Sequence, residues 1–320
     1  MTVFEGSLVQ PSSNRAAGSM PAIWQRFTAT VCSVLLVFVF LYYVDVAYVI
    51  LPWYSFTVPG MLHLMLLSAS TGLALRCYFL CMFTDPGRVP PGWQPDAEQQ
   101  AAVQEVKKSD GGARYCKKCN QYKPPRSHHC RVCERCVLRM DHHCPWVNNC
   151  IGHANYRSFF LLLVYCSAAL IHSTLLLLGH ALHLVSSSAN SRVVRVGPRA
   201  TPHTFEEDPD SHVLWHIGLQ TFAFAVALPT TIAVVMLLVW HIRMVAANKT
   251  TIEHAEGITA QIKAGGLGAD KQRHPYNLGC VHNGLQVLGD EPVLWWLPRS
   301  SATPGGLAYP TFLDSRALGF

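Results

Sequence analysis

The chain has 320 residues, 50% of them hydrophobic and 14% charged, against about a quarter charged in an ordinary soluble domain, so a wholly water-facing globular protein is excluded. Its 12 cysteines are too sparse for a secreted disulfide scaffold, and seven of them crowd between Cys116 and Cys150, where their spacing reads as metal binding. The net charge of +6 would suit a nucleic-acid partner only if the basic residues shared a soluble face; they flank apolar spans instead, and no nucleic acid is expected.

In chain order, residues 1–26 form a polar amino-terminal arm. Residues 27–50 are the first stretch long enough to cross about 30 Å of hydrocarbon, interrupted only by Asp45 and followed by Leu51-Pro52-Trp53-Tyr54. This length exceeds the apolar core of a cleavable signal, so the segment reads as a retained anchor. Residues 58–83 form a second span, broken by Arg76. Asp85-Pro86-Gly87 and the prolines from Pro90 to Pro95 then stop the helix and open a linker, 84–113, whose polar part, 96–112, has room for one short helix. A Cys-rich block fills 114–158. The third span, 159–185, and the fourth, 213–242, carry no Asp, Glu, Lys or Arg. The Ser-, Pro- and Arg-rich loop between them, 186–212, reads as irregular. The tail, 243–320, is Gly-rich over 257–268 and places Trp295-Trp296-Leu297-Pro298 at the membrane interface.

Loops rich in Lys and Arg stay cytoplasmic. The arm holds two, the segment 84–158 twelve and the tail seven, whereas the loop between the third and fourth spans holds three. Both termini and the Cys-rich block are therefore expected on the cytoplasmic side, with 186–212 luminal. The fold class is an α-helical polytopic membrane protein, with four transmembrane helices and a cytoplasmic zinc-binding Cys-rich domain between the second and third.

Within the block, Cys116, Cys119, His129 and Cys136 define a spacing that Cys130, Cys133, His143 and Cys150 reproduce fourteen residues later. Each set supplies three thiolates and one imidazole, the closed shell that structural zinc prefers, and the reducing cytoplasm keeps such thiols free. Two structural zinc ions are expected; one zinc with some spare buried cysteines is the alternative. A third copy would open at Cys144, but its further positions fall on Val147, Arg157 and Val164, which cannot replace thiolate or imidazole.

Cys144 is thus left over, directly after Asp141, His142 and His143. With His143 on zinc, His142 is free to take the thiol proton and Asp141 to orient the imidazole, the arrangement of an activated nucleophile. The competing reading is that Cys144 merely ligates or packs. His128, one copy earlier, follows Ser127 instead of an acid and reads as structural.

Asp141-His142-His143-Cys144-Pro145-Trp146, with Asn148, Asn149, Cys150, Gly152, Asn155 and Tyr156 behind it, resembles the DHHC-type protein S-acyltransferases. Asp85-Pro86-Gly87 is similar to the family's motif after the second span, and Thr250-Thr251-Ile252-Glu253 to its TTxE motif after the fourth. The tail around Asn283, Val287 and Gly289 is similar to its carboxy-terminal motif, with Leu288 where an aromatic residue is usual. The resemblance implies palmitoyl-CoA as acyl donor and co-substrate, a covalent acyl-enzyme on Cys144, and transfer to membrane-proximal cysteines of cytoplasmic-face substrate proteins beside the lipid bilayer. It implies the two zinc sets given above, a hydrogen bond from Thr251 near Asp141, and a tail tied down by Asn283. The expected compartment is an endomembrane such as the Golgi or endoplasmic reticulum, with the plasma membrane as the other choice.

Several residues carry less specific readings. Lys123, Arg126, Arg131 and Arg139 would attract CoA phosphates or form a solvated basic face. Ala168 and Ala169 leave room for an acyl chain or serve a helix contact. Asp45 and Arg76 read as helix anchors, and His63, His172 and His216 as hydrogen-bonded core residues. The rival function is a membrane-anchored zinc-binding scaffold or RING-like ubiquitin ligase, although no late ligand pair two residues apart follows Cys136; an inactive adaptor with a complete motif is the third reading.

Overall fold

A computed structural model describes residues 26–95, 104–106, 114–194, 211–257, 259–261, 274–298 and 305–311. The arm before Arg26, half of the linker, the middle of the predicted loop, the tail residues 258, 262–273 and 299–304 and the chain end after Thr311 lie outside the described residues. Among the described residues four helices are long and apolar enough to cross a membrane. Helix α1 (Ala29–Val44) is capped by Thr28, whose hydroxyl accepts from Val31 N. It runs on through a π-helical stretch, Asp45–Ile50, into a last turn, Leu51–Tyr54. Helix α2 (Val58–Phe83) starts at the Thr57 cap, with Pro59 in its first turn where a missing amide costs nothing. Helices α3 (Tyr156–Val194) and α4 (Ser211–Ala246) are longer than the apolar stretches alone implied. They extend into the loop expected to be irregular, which is helical up to Val194 and again from Ser211, while the stretches apolar enough to cross a membrane end at Ser187 and begin at Leu214. Helix formation needs only good local propensity and i→i−4 bonding, not a membrane, so it continues past the apolar window.

In the linker, which had room for one short helix, the described residues 104–106 form a strand, β1 (Gln104–Val106), paired antiparallel with Thr259–Gln261 from the tail. That partner lies more than 150 residues downstream, and β pairing depends on such partners more than on local preference.

The Cys-rich block consists of three two-stranded hairpins: β2–β3 (Tyr115–Cys116, Gln121–Tyr122), β4–β5 (His128–Cys130, Arg135–Val137) and β6–β7 (His142–Cys144, Asn149–Ile151). The fourteen-residue repeat is therefore a repeat of structure. His129 faces Cys136 in one hairpin and His143 faces Cys150 in the next. Each turn passes through a left-handed residue at the same repeat position, Asn120, Glu134 and Asn148.

Hydrogen bonds to exposed helix ends fasten this block to the membrane helices. The last carbonyls of a helix have no partner of their own, and Asn149 Nδ2 donates to two at the end of α2, Cys81 O and Thr84 O, each at 2.9 Å. Asp85 accepts from Gly87 N at 2.9 Å and from Arg135 Nη1 at 2.7 Å. Pro86 O and Gly87 O then accept from Ala154 N and Leu138 N. Gly152 lies under this contact: a Cβ there would stand 2.9 Å from both Leu138 O and Pro86 O, so only hydrogen fits.

Beyond α4, Asn283 of the short helix α6 (Cys280–Leu288) is fully buried. Its Nδ2 donates to Ala246 O at 2.7 Å, while Leu278 N donates to its Oδ1 at 2.9 Å. Val287 is buried in the same apolar cluster as Cys144, Tyr156 and Phe159, and Leu288 packs against that cluster. The leucine thus fills the position where an aromatic residue was expected. Arg157 donates to Leu297 O at 3.2 Å and to Leu294 O, which holds the Trp295–Pro298 segment beside the start of α3.

Candidate active site

The eight predicted ligands fall into two groups, Cys116, Cys119, His129, Cys136 and Cys130, Cys133, His143, Cys150, with all ligand atoms of a group within 4.8 Å of one another. In the first, His129 Nδ1 lies 3.2 Å from Cys119 Sγ and 3.6 Å from Cys116 Sγ. In the second, His143 Nδ1 lies 3.5, 3.7 and 3.6 Å from Cys133, Cys130 and Cys150 Sγ. A tetrahedron with Zn–S near 2.3 Å and Zn–N near 2.0 Å has edges of roughly 3.5 Å, so both groups could hold zinc. The four-atom geometry fits a metal better than a hydrogen-bond network, because one imidazole nitrogen cannot bond three sulfurs at once.

Cys144 stands apart from both groups. It opens the third hairpin turn, where Val147 occupies the place of the second knuckle cysteine. Cys144 is 5% exposed and lines a cavity of about 770 Å³ between the membrane helices. Beside it, His142 Nδ1 lies 2.7 Å from Asp141 Oδ2. The carboxylate, fully buried, also takes Thr251 N at 2.9 Å on Oδ1 and Thr251 Oγ1 at 2.8 Å on Oδ2. Asp141 is held in place from three sides, and the other ring nitrogen of His142 is left for the thiol. Phe159 sets its ring edge to face on His142 at 5.2 Å.

The repeat supplies an internal comparison. Burial pushes His128 down, and the Arg114 charge takes it further, to about 4. Burial pushes His142 down as well, but hydrogen bonds to Asp141 and Cys144 and their charges outweigh it and raise the imidazole to about 9. Burial works against Asp141 too, yet His142 and Thr251 N hold it below the usual carboxylate range. Two histidines in one register thus differ because Asp141 and Cys144 stand beside the second, whereas burial and the Arg114 charge act on the first.

Thr250, Thr251 and Glu253 sit in a six-residue helix, α5 (Thr251–Glu256), that begins with a reciprocal cap. Thr250 Oγ1 accepts from Glu253 N at 3.1 Å, and Thr250 N donates to Glu253 Oε2 at 2.9 Å. Glu253 also forms a two-pronged pair with Arg126, at 2.7 and 2.8 Å. Neither side chain is more than 1% exposed. Arg126 is further bonded by Asn248 Oδ1 and Asn248 O and stacks on Tyr276 at 4.4 Å. Burial opposes Glu253, but the Arg126 charge holds its carboxyl far below the ordinary value.

Two of the four basic residues assigned to CoA or a solvated face are thereby corrected: Arg126 is sealed in this pair, and Arg139 is 6% exposed and lies over Tyr156 at 4.7 Å. Glu253→Gln leaves Arg126 buried without a counter-charge. The expected cost is about 3–5 kcal/mol, read as a thermal midpoint lowered by several degrees in detergent; an unchanged midpoint would show that the pair does not hold α5 to the block.

Of the less specific readings, Ala169 lines the cavity while Ala168 faces outward. His63 Nδ1 lies 2.9 Å from His172 Nε2, and His216 packs against Tyr48. Sequence reasoning missed Asn248 and His241, whose Nδ1 lies 3.1 Å from Tyr156 OH and whose ring faces Phe159. Neither belongs to a repeat or a charged cluster that would have marked it.

Four apolar helices carry a Cys-rich block with two metal-ready groups, and a separate thiol and imidazole, the imidazole paired with a buried carboxylate, border an apolar cavity between the helices of a multi-pass membrane protein. A family model described as DHHC palmitoyltransferase matches residues 109–258. Probable protein S-acyltransferase 16 of Arabidopsis thaliana is 39% identical over 294 residues, covering 90% of this chain and 94% of that protein. Probable protein S-acyltransferase 15 of the same plant is 35% identical over 86% of this chain and 99% of that protein. Human palmitoyltransferase ZDHHC20 is 34% identical over 62% of this chain and 47% of its own. The chain belongs to the DHHC palmitoyltransferase family.

Proposed function

We propose that this protein is a protein S-acyltransferase that carries a long acyl chain on Cys144. The observation behind this reading is a cysteine sulfur outside both metal groups that lines an apolar cavity beside the His142–Asp141 pair. His142 takes the thiol proton, and Asp141, fixed by Thr251, orients the ring and balances its charge. The Cys144 sulfur attacks the thioester carbonyl of an acyl-CoA, and the CoA thiolate leaves and is protonated. A cysteine thiol of a substrate protein then attacks the acyl-enzyme, with His142 receiving its proton, and Cys144 is released.

Cys116, Cys119, His129 and Cys136 would hold one zinc, and Cys130, Cys133, His143 and Cys150 the other. Zinc there supplies rigidity to a block of short hairpins with little core of its own. His143 and Cys150 bracket the Cys144 turn, so the second site fixes the position of the nucleophile.

The bilayer suits the donor. Each buried methylene is worth about 0.8 kcal/mol, so the acyl chain is held between the helices while the CoA head stays in water. The Lys and Arg distribution supports a cytoplasmic side for the block, both termini and the reaction, where substrate proteins present cysteines close to the membrane. An endomembrane such as the Golgi or endoplasmic reticulum fits this orientation. The relatives, named as acyltransferases, do not favour the scaffold or RING-like reading.

The test is direct: the purified protein mixed with palmitoyl-CoA should release free CoA and acquire a palmitate label that neutral hydroxylamine removes. Ubiquitin conjugation without such a label would overturn the acyltransferase reading.

A further inference from the structure

The acyl cavity has a polar floor. Asp45 of the first span is 1% exposed and lines the cavity, and neither of its carboxylate oxygens has a hydrogen-bond partner. Ser173 of α3, on the same cavity wall, stands close enough to act on the carboxyl as a hydrogen-bond neighbour, although neither side chain makes a hydrogen bond of ordinary length. A carboxyl in the hydrocarbon is costly and marks a function more often than an anchor. The helix also changes at this point: the π-helical stretch begins at Asp45, a distortion found mostly at functional sites.

The depth of this floor can be counted along two helices. Tyr78 OH reaches both Val31 O and Trp146 O, so Val31 stands at the level of the Cys144 turn. Asp45 is fourteen residues further along, about 21 Å at 1.5 Å per residue. On α3, Phe159 touches His142, and Ser173 is again fourteen residues on, about 21 Å. An extended chain advances about 1.2 Å per bond, which brings the end of a sixteen-carbon acyl group on Cys144 close to both side chains.

We propose that Asp45 and Ser173 form a subsite for a hydroxyl group at the far end of the acyl chain, so that a long-chain acyl-CoA bearing a terminal hydroxyl is a preferred donor. This rests on the acyltransferase reading above and deepens it. A carboxyl accepts a hydroxyl hydrogen bond in either protonation state, and Ser173 Oγ offers both donor and acceptor. A methyl terminus would leave these oxygens with only the long Asp45–Ser173 contact, which a hydroxyl would complete, and a site built for a hydroxyl discriminates against a ligand that lacks one.

The experiment offers the full-length purified protein equal amounts of hexadecanoyl-CoA and 16-hydroxyhexadecanoyl-CoA and reads the ratio of the two acyl-enzymes by mass. The expected result is a ratio that falls by about tenfold from wild type to Asp45→Leu, with a smaller fall in Ser173→Ala. Because the ratio is internal to each sample, partial misfolding lowers yield without moving it. Equal ratios in wild type and both variants would overturn the subsite while leaving the acyltransferase reading intact. No acyl-enzyme from either donor on the wild type would overturn that reading, and the subsite with it.

Discussion

Cys144→Ser is expected to lower CoA release from palmitoyl-CoA by at least about a thousandfold, the scale on which losing a nucleophile acts, with two zinc ions still bound per chain. The two halves of this expectation have separate physical sources. Serine keeps the size of the side chain, so the turn from Pro145 to Asn148 and its left-handed Asn148 should be unaffected. A hydroxyl beside His142 is nonetheless a far weaker nucleophile than a thiol at neutral pH. Metal is retained because Cys144 belongs to neither four-atom group. Metal analysis beside the CoA-release assay checks both halves. A variant that keeps its activity would remove Cys144 from the reaction, and one that loses zinc would return it to the role of ligand.

Cys133→Ser, in the second group, is expected to cost one zinc per chain and reduce acyl loading to background even though Cys144 is untouched. Binding of a structural zinc is worth about 10–16 kcal/mol in small zinc domains, more than the short β6–β7 pairing can replace. The His143–Cys150 pair closes the hairpin that presents Cys144, so without the ion the thiol, His142 and Asp141 lose their common frame. Metal content and acyl loading measured on the same preparation provide the check; full loading with one zinc would show that the second site does not position the nucleophile.

The candidate site was legible in the sequence because it repeats. The fourteen-residue offset marked both ligand sets, exposed Cys144 as the position without partners, and separated His142 from His128 by the residue before each. The four spans were legible from composition, since a membrane imposes one length on every crossing helix. What stayed hidden depends on contacts between distant parts of the chain. Arg126 read as surface charge because its partner Glu253 lies 127 residues away. Strand β1 was hidden for the same reason, its partner lying in the tail. Asp45 was visible as an oddity in an apolar stretch, but only the packing of the four helices reveals that it borders the same cavity as Cys144.

The central claim is that the sulfur that accepts the acyl group is spare, so that acylation and full metal loading coexist. Native mass spectrometry of the full-length protein after brief exposure to palmitoyl-CoA tests it in one spectrum. The account predicts a species carrying two zinc ions and one palmitoyl group together. A palmitoyl group found only on molecules that have lost a zinc would mean that the reactive sulfur is taken from a metal site, and would contradict it.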